Sequence, residues 1–182
     1  SSNNRYVSIC GEYEYAIYSA LAWRSKSFGQ AQEFVWGVGD VFALRKSNST
    51  VAISTSFQDP VEFAPPLGVS RIYGGYLLGI ASDVISFYTW DTKPTLVRQI
   101  DVKPTGIWWS TMNSTSFTSG TYVAISTHDS LFVLQYNEGY MDNNDYDPEA
   151  GSESAFIMVG ESDGNIQSGL WFGDIFFFID KN

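Results

Sequence analysis

A short phrase that returns at a near-constant interval limits what this chain can fold into more than any other feature. The phrase is two apolar or aromatic residues, a short turn and then a second strand. It occurs at Phe34-Val35-Trp36, Arg71-Ile72-Tyr73, Ile107-Trp108-Trp109 and Gly169-Leu170-Trp171. The third residues of the first three phrases lie 37 and 36 positions apart, and the fourth follows after 62. The surplus in the last interval is close to the length of the polar insertions it contains, chiefly Asn137 to Ser154. A repeat of this length holds three or four short strands. One such sheet cannot bury both faces by itself, so successive copies must stack.

Between the phrases the signal is strand throughout. Tyr13 to Trp23, Val51 to Phe57, Val84 to Trp90, Thr121 to Thr127, Leu131 to Tyr136 and Ile175 to Ile179 carry the β-branched and aromatic residues that suit a pleated surface. Gly, Pro, Asn, Asp and Ser separate them, as in Gly37-Val38-Gly39-Asp40 and Pro65-Pro66-Leu67-Gly68. No long segment keeps an apolar period of 3.6 residues. Leu21 to Arg24 has the look of a single helical turn, but the Tyr-Ile-Tyr pattern beside it favours strand. The reading is an all-β chain, a WD40-like β-propeller of about four blades cut from a larger, seven-bladed ring. The domain expected is one propeller segment over 1–182, with an acidic flexible loop at about 137–154.

Composition narrows the function. The net charge of −10 argues against nucleic acid and anionic membrane surfaces as partners. Lys93, Arg98 and Lys103 are the nearest approach to a basic cluster. No apolar run reaches the roughly 18 residues of a membrane-spanning helix, and Ser1 to Arg5 does not read as a secretion signal. Cys10 is the only cysteine, which suits a reducing compartment. Its alternating neighbourhood, Tyr6 to Cys10, predicts a buried and inert thiol.

Catalysis needs convergent titratable groups, and few are available. His128 is the sole histidine, in the turn Thr127-His128-Asp129-Ser130. Adjacent turn residues point different ways, and no Gly-x-Ser-x-Gly elbow is present. Six carboxylates, Glu138, Asp142, Asp145, Asp147, Glu149 and Glu153, fall in one stretch without a lysine or arginine. Neither register, from Asp142 or from Asp145, satisfies a calcium-loop pattern, because Tyr146 and Ala150 fall on required positions. A solvated loop whose like charges repel is expected, open to electrostatic contact with a basic partner. No catalytic, cofactor-binding or metal-ligating residue is assigned. Two sequons, Asn48-Ser49-Thr50 and Asn113-Ser114-Thr115, matter only in a secretory lumen. Together with six tryptophans and abundant acids, they motivate an alternative reading as a secreted glycan-binding module or glycosidase.

A set of ordered phrases makes the propeller specific. These are Arg5-Tyr6-Val7 with Cys10-Gly11, Ile17-Tyr18, Ala20 to Gly29 (Ala-Leu-Ala-Trp-Arg-Ser-Lys-Ser-Phe-Gly) and Glu33-Phe34-Val35-Trp36. They continue through Ile72-Tyr73-Gly74-Gly75, Leu77-Leu78-Gly79, Phe87-Tyr88-Thr89-Trp90, Arg98 to Val102, Trp109-Ser110, Leu134-Gln135-Tyr136 and Gly169 to Asp174. In this order and spacing the chain resembles the second WD40-type propeller of the β′ subunit of coatomer, the COPI vesicle coat. It departs from that pattern at 52–57, where Ala52-Ile53-Ser54-Thr55-Ser56-Phe57 lacks two basic residues, at the expanded hairpin 112–120, and at 137–154.

The resemblance implies a non-catalytic scaffold without cofactors, acting through protein contacts in transport between Golgi and ER. It implies other coatomer subunits as partners, notably the alpha subunit, with cargo tails or a small GTPase reached through the complete subunit. Nucleic acid is not implied, and membrane association is peripheral, through a cytoplasmic coat on Golgi membranes and vesicles. Recognition of dilysine signals belongs chiefly to the family's first propeller, so no cargo-binding residues are carried over.

Overall fold

The computed structural model describes residues 1, 3–110 and 120–181. Nineteen strands are found among them, together with two short 3-10 turns, Tyr140–Asp142 and Glu153–Ala155. No helix among the described residues is long and apolar enough to cross a membrane. The chain divides into two compact units, 1–82 with 86–95 and 83–85 with 96–182.

In the first unit, β1 (Tyr6–Cys10), β2 (Glu14–Ser19) and β3 (Ser25–Gln30) form an antiparallel meander. A four-stranded sheet follows in the order β4 (Glu33–Trp36), β5 (Val41–Arg45), β6 (Val51–Thr55), β7 (Val61–Phe63). Next come β8 (Arg71–Tyr73), β9 (Leu78–Ala81) and β10 (Ile85–Tyr88), again paired in sequence order. β2 alternates, with Tyr15 and Ile17 buried between partly exposed neighbours. In β5 and β6, by contrast, Phe42, Ala43, Leu44, Val51, Ala52 and Ile53 are all fully buried. Such continuous burial means that sheet is covered on both faces, as stacking of repeated sheets requires. Phe42 lies 5.2 Å from Phe34 and 5.8 Å from Trp36 on the adjacent strand, and meets the first sheet through Tyr15 at 6.0 Å between ring centres.

In the second unit, β12 (Gly106–Trp109), β13 (Thr121–Ser126), β14 (Ser130–Tyr136) and β17 (Phe156–Asp163) make a four-stranded antiparallel sheet. The hairpin of β18 (Ile166–Phe172) and β19 (Ile175–Asp180) packs Ile166 and Trp171 against Ala124 and Leu131 of that sheet. β11 (Leu96–Ile100) pairs with β16 (Gly151–Ser152), which pairs in turn with β15 (Tyr146–Asp147).

The four repeated phrases fall on β4, β8, β12 and β18, the opening strand of each successive sheet. In the first and last of them the aromatic at the third position reaches back to the sheet before it. The Trp36 indole N–H donates to Ser8 Oγ of β1 at 2.9 Å, and that of Trp171 donates to the Trp108 carbonyl of β12 at 2.9 Å. The surplus in the third interval lies between β14 and β17, where 137–155 carries both 3-10 turns and the β15–β16 pair.

Several predicted strands are shorter than expected: Val51 to Phe57 is strand over Val51–Thr55, Val84 to Trp90 is strand over Ile85–Tyr88, and the longest is cut most. Tyr13 to Trp23 is strand only as far as Ser19, because Trp23 N–H bonds back to the Ser19 carbonyl and Trp23 takes a left-handed φ of 49°. That is a single helical turn that the positive φ stops from propagating. The hairpin 112–120 lies outside the described residues except for Gly120.

Candidate functional site

Each residue with chemical potential is placed by the sheets. Cys10 ends β1, the edge strand of the first sheet, and is exposed rather than buried. The expectation of a buried thiol fails because alternation along β1 cannot reveal that the strand lacks a neighbour on one side. The thiol contacts a cavity of about 280 Å³ shared with Gln32, Glu33, Arg71 and Ile72. Partial burial, and then the Glu33 carboxylate, push its pKa up from the ordinary thiol value. It is therefore poorly ionised at neutral pH, which is the opposite of an activated nucleophile.

His128 is exposed at the tip of the β13–β14 hairpin. The hydroxyls and carboxylate beside it are engaged with one another. Thr127 Oγ1 donates to Asp129 Oδ1 at 3.1 Å and accepts from Ser130 N–H at 3.1 Å, while Ser130 Oγ donates to the same carboxylate at 3.4 Å. The turn thus brings Ser130 and Asp129 together and leaves the imidazole outside the arrangement.

The six clustered carboxylates are separated by structure. Asp145 accepts from Ser152 Oγ at 2.5 Å, Ser154 N–H at 2.7 Å and Ser154 Oγ at 3.2 Å. Asp147 accepts from the N–H groups of Glu149 and Ala150 at 2.7 and 2.9 Å, an Asx turn that leads into β16. Glu153 lies 3.7 Å from Arg98. No group of three or more His, Cys, Asp or Glu side chains among the described residues is placed to hold a metal ion. Asp145, Asp147 and Glu153 are thus each engaged by neighbouring groups.

The bonds from Ser152 and then Ser154 hold the Asp145 carboxyl below its ordinary value, and the turn amides do the same for Asp147. A depressed folded-state pKa gives stabilisation that is present above the ordinary carboxylate range and lost as pH falls through the folded pKa. Acidification below that range should therefore raise hydrogen-exchange rates across 145–154 before those of β12 to β14, and Asp145→Asn should remove this step. Equal protection of both regions down to global unfolding would refute this.

Sequence reasoning missed one charged group of consequence. Glu33, immediately before the first repeated phrase, is partly buried, and its Oε2 accepts from Arg45 Nε at 2.9 Å and from the backbone N–H of Ile72 at 3.0 Å. The same arginine donates to Gln32 and Asn48. Glu33 therefore fastens β4 to β5 and to β8. Its position beside Phe34-Val35-Trp36 was visible, but its partners are 12 and 39 residues away.

Asn48 is exposed, with its Oδ1 accepting from Arg45 Nη1 at 3.1 Å and its carbonyl accepting from Val69 N–H at 2.8 Å. Asn113 lies outside the described residues. The tryptophans do not present an exposed sugar platform: Trp36, Trp108 and Trp171 sit between sheets, and Trp90 Nε1 donates to the Gly75 carbonyl at 3.0 Å. Trp23 is the exception, 61% exposed. Charge is unevenly distributed. The first unit holds seven basic and seven acidic residues, whereas the second holds three and thirteen, so the whole net charge resides in the second.

Comparison with known proteins agrees with this architecture. A family described as the COPA/B second beta-propeller matches residues 1–182. The chain is 40% identical over 182 residues to the coatomer subunit beta' of Homo sapiens, covering 97% of this chain. Identity is 39% over 185 residues to that of Drosophila melanogaster and 38% over 182 residues to coatomer subunit beta'-2 of Oryza sativa subsp. japonica. The chain spans 19% of the length of each of these curated relatives.

Proposed function

The chain belongs to the COPA/B second β-propeller family, and from that premise we propose that it is a non-catalytic scaffold in a COPI-type vesicle coat. The observation that carries the reading is the family match along all 182 residues, with identity near 40% to coatomer subunit beta'. In this reading residues 1–182 are one propeller segment, blades of a larger ring. The sheets present loops and edges to other coat subunits, the alpha subunit among them. Cargo tails and a small GTPase are engaged through the complete subunit, and membrane association is peripheral, on the cytoplasmic side of Golgi membranes and vesicles. The side-chain chemistry supports a scaffold. Glu33 and Arg45 are committed to joining strands, the Cys10 thiol is held protonated, and the hydroxyls and carboxylate beside His128 bond to one another.

Localisation of the tagged parent polypeptide tests this. Golgi-associated signal that is released by an alkaline wash and insensitive to endoglycosidase is expected. Glycan at Asn48 or Asn113 would place the chain in the secretory lumen and overturn the proposal.

A further inference from the structure

The sheets of this chain treat their outermost strands differently. A strand at a sheet edge carries a row of unpaired N–H and C=O groups, and proteins normally shorten, cover or charge such edges. β7 is three residues long and bracketed by Pro60, Pro65 and Pro66. β3 carries Lys26 between two serines, at a bulge in its own pairing with β2. β11 is paired on one side with β16, through Arg98 and Gly151. β17 has a bulge, as β3 does, but among the described residues it is not shortened, flanked by proline, provided with a lysine or paired on its outer side. It is eight residues long, contains no proline or basic residue, and stands last in its sheet, paired only with β14.

The side chains along this edge fall into two halves. Ile157, Met158 and Val159 are 54%, 55% and 50% exposed, three large apolar residues in succession. The irregularity in register opposite Val133 and Leu134 falls at Val159 and adds local twist. Beyond it, Glu161 and Asp163 are exposed. They belong to the unit that holds the entire net charge, with only three basic residues to thirteen acidic ones.

We propose that the outer edge of β17 is a docking site for an extended partner segment that adds to the sheet as an antiparallel strand, with basic residues at its start and apolar residues at its end. Backbone hydrogen bonds along the edge hold the segment, which is the usual mode of strand addition. The antiparallel direction sets its basic half beside Glu161 and Asp163 and its apolar half beside Ile157 to Val159. This surface follows from the sheet edge alone and stands apart from the coat assignment.

The test uses the 182-residue chain and a fluorescein-labelled peptide, acetyl-Lys-Thr-Lys-Thr-Val-Thr-Val-Tyr-amide. Two further versions of the peptide are N-methylated on alternate amides, one on each phase. Saturable binding by anisotropy is expected, with slowed hydrogen exchange confined to 157–163. One methylation phase should abolish binding and the other should retain it, because only one edge of the peptide faces β17. E161K/D163K should weaken binding about tenfold at low salt, and D142N/E149Q should leave it unchanged. Absence of binding, equal binding by both methylated peptides, or protection outside β17 would each overturn the proposal.

Discussion

Phe42→Ala should destabilise the first unit by about 3–5 kcal/mol and lower its melting temperature by more than about 10 °C. Phe42 is completely buried in β5. Its ring meets Phe34 and Trp36 on the neighbouring strand of its own sheet, Tyr15 across the sheet interface and Phe57 at 6.1 Å. Truncation removes the transfer free energy of the ring and leaves a cavity. Its walls are other aromatic rings held by strands on two sheets, so they cannot collapse inward. Urea unfolding followed by tryptophan fluorescence would read the loss, since Trp36 is part of the same cluster. Phe28→Ala is the matched control. Phe28 is 80% exposed, so its removal should change stability little. A cost below about 1 kcal/mol for Phe42→Ala would mean that the two sheets do not pack as described.

Gly74→Ala should cost about 3 kcal/mol by a different route. A Cβ at this position would overlap the carbonyl oxygen of Trp36, with the Trp36 carbonyl carbon at 3.0 Å and Val35 Cβ at 3.1 Å. The obstacle is the backbone of β4 rather than the tip of a flexible side chain. That backbone is fixed by the Glu33 contacts to Arg45 and Ile72, so the clash can be relieved only by separating β4 from the turn after β8. Gly39→Ala separates this close approach from backbone strain. Gly39 has a φ of 86° but nothing within 4 Å of an added Cβ, so only the left-handed penalty of about 1–2 kcal/mol applies. Thermal unfolding of the two variants should therefore rank Gly74→Ala as the less stable. The reverse order would show that β4 and the turn after β8 have room to spare.

These expectations rest on contacts that the sequence discloses unevenly. The opening strand of each repeated sheet was legible because Trp36, Tyr73, Trp109 and Trp171 recur at intervals set by a structural unit. The unusual length of the third interval was equally legible, and the insertion lies where the surplus indicates, between β14 and β17. What the insertion does was not legible. Its β16 strand reaches β11 through Gly151, whose φ of 75° and close approach to the Val97 carbonyl oxygen are non-local requirements. The exposure of Cys10 escaped prediction for a related reason, since alternation in β1 reports which face is apolar but not whether a strand lies alongside. Glu33 looked like an ordinary charged residue before a hydrophobic run, because its importance comes from an amide 39 positions away. Local pattern reveals the unit that repeats, while partners distant in sequence decide how an edge or a charge is used.

The most direct test of the account is affinity isolation of the endogenous parent polypeptide from cytosol under mild salt, with mass spectrometry of the proteins that accompany it. A stoichiometric set of coatomer subunits is the predicted result, retained when the isolation is repeated from cells carrying His128→Ala or Cys10→Ser. Recovery of the polypeptide alone, or with lumenal glycoproteins in place of coat subunits, would contradict the assignment of this propeller to a vesicle coat.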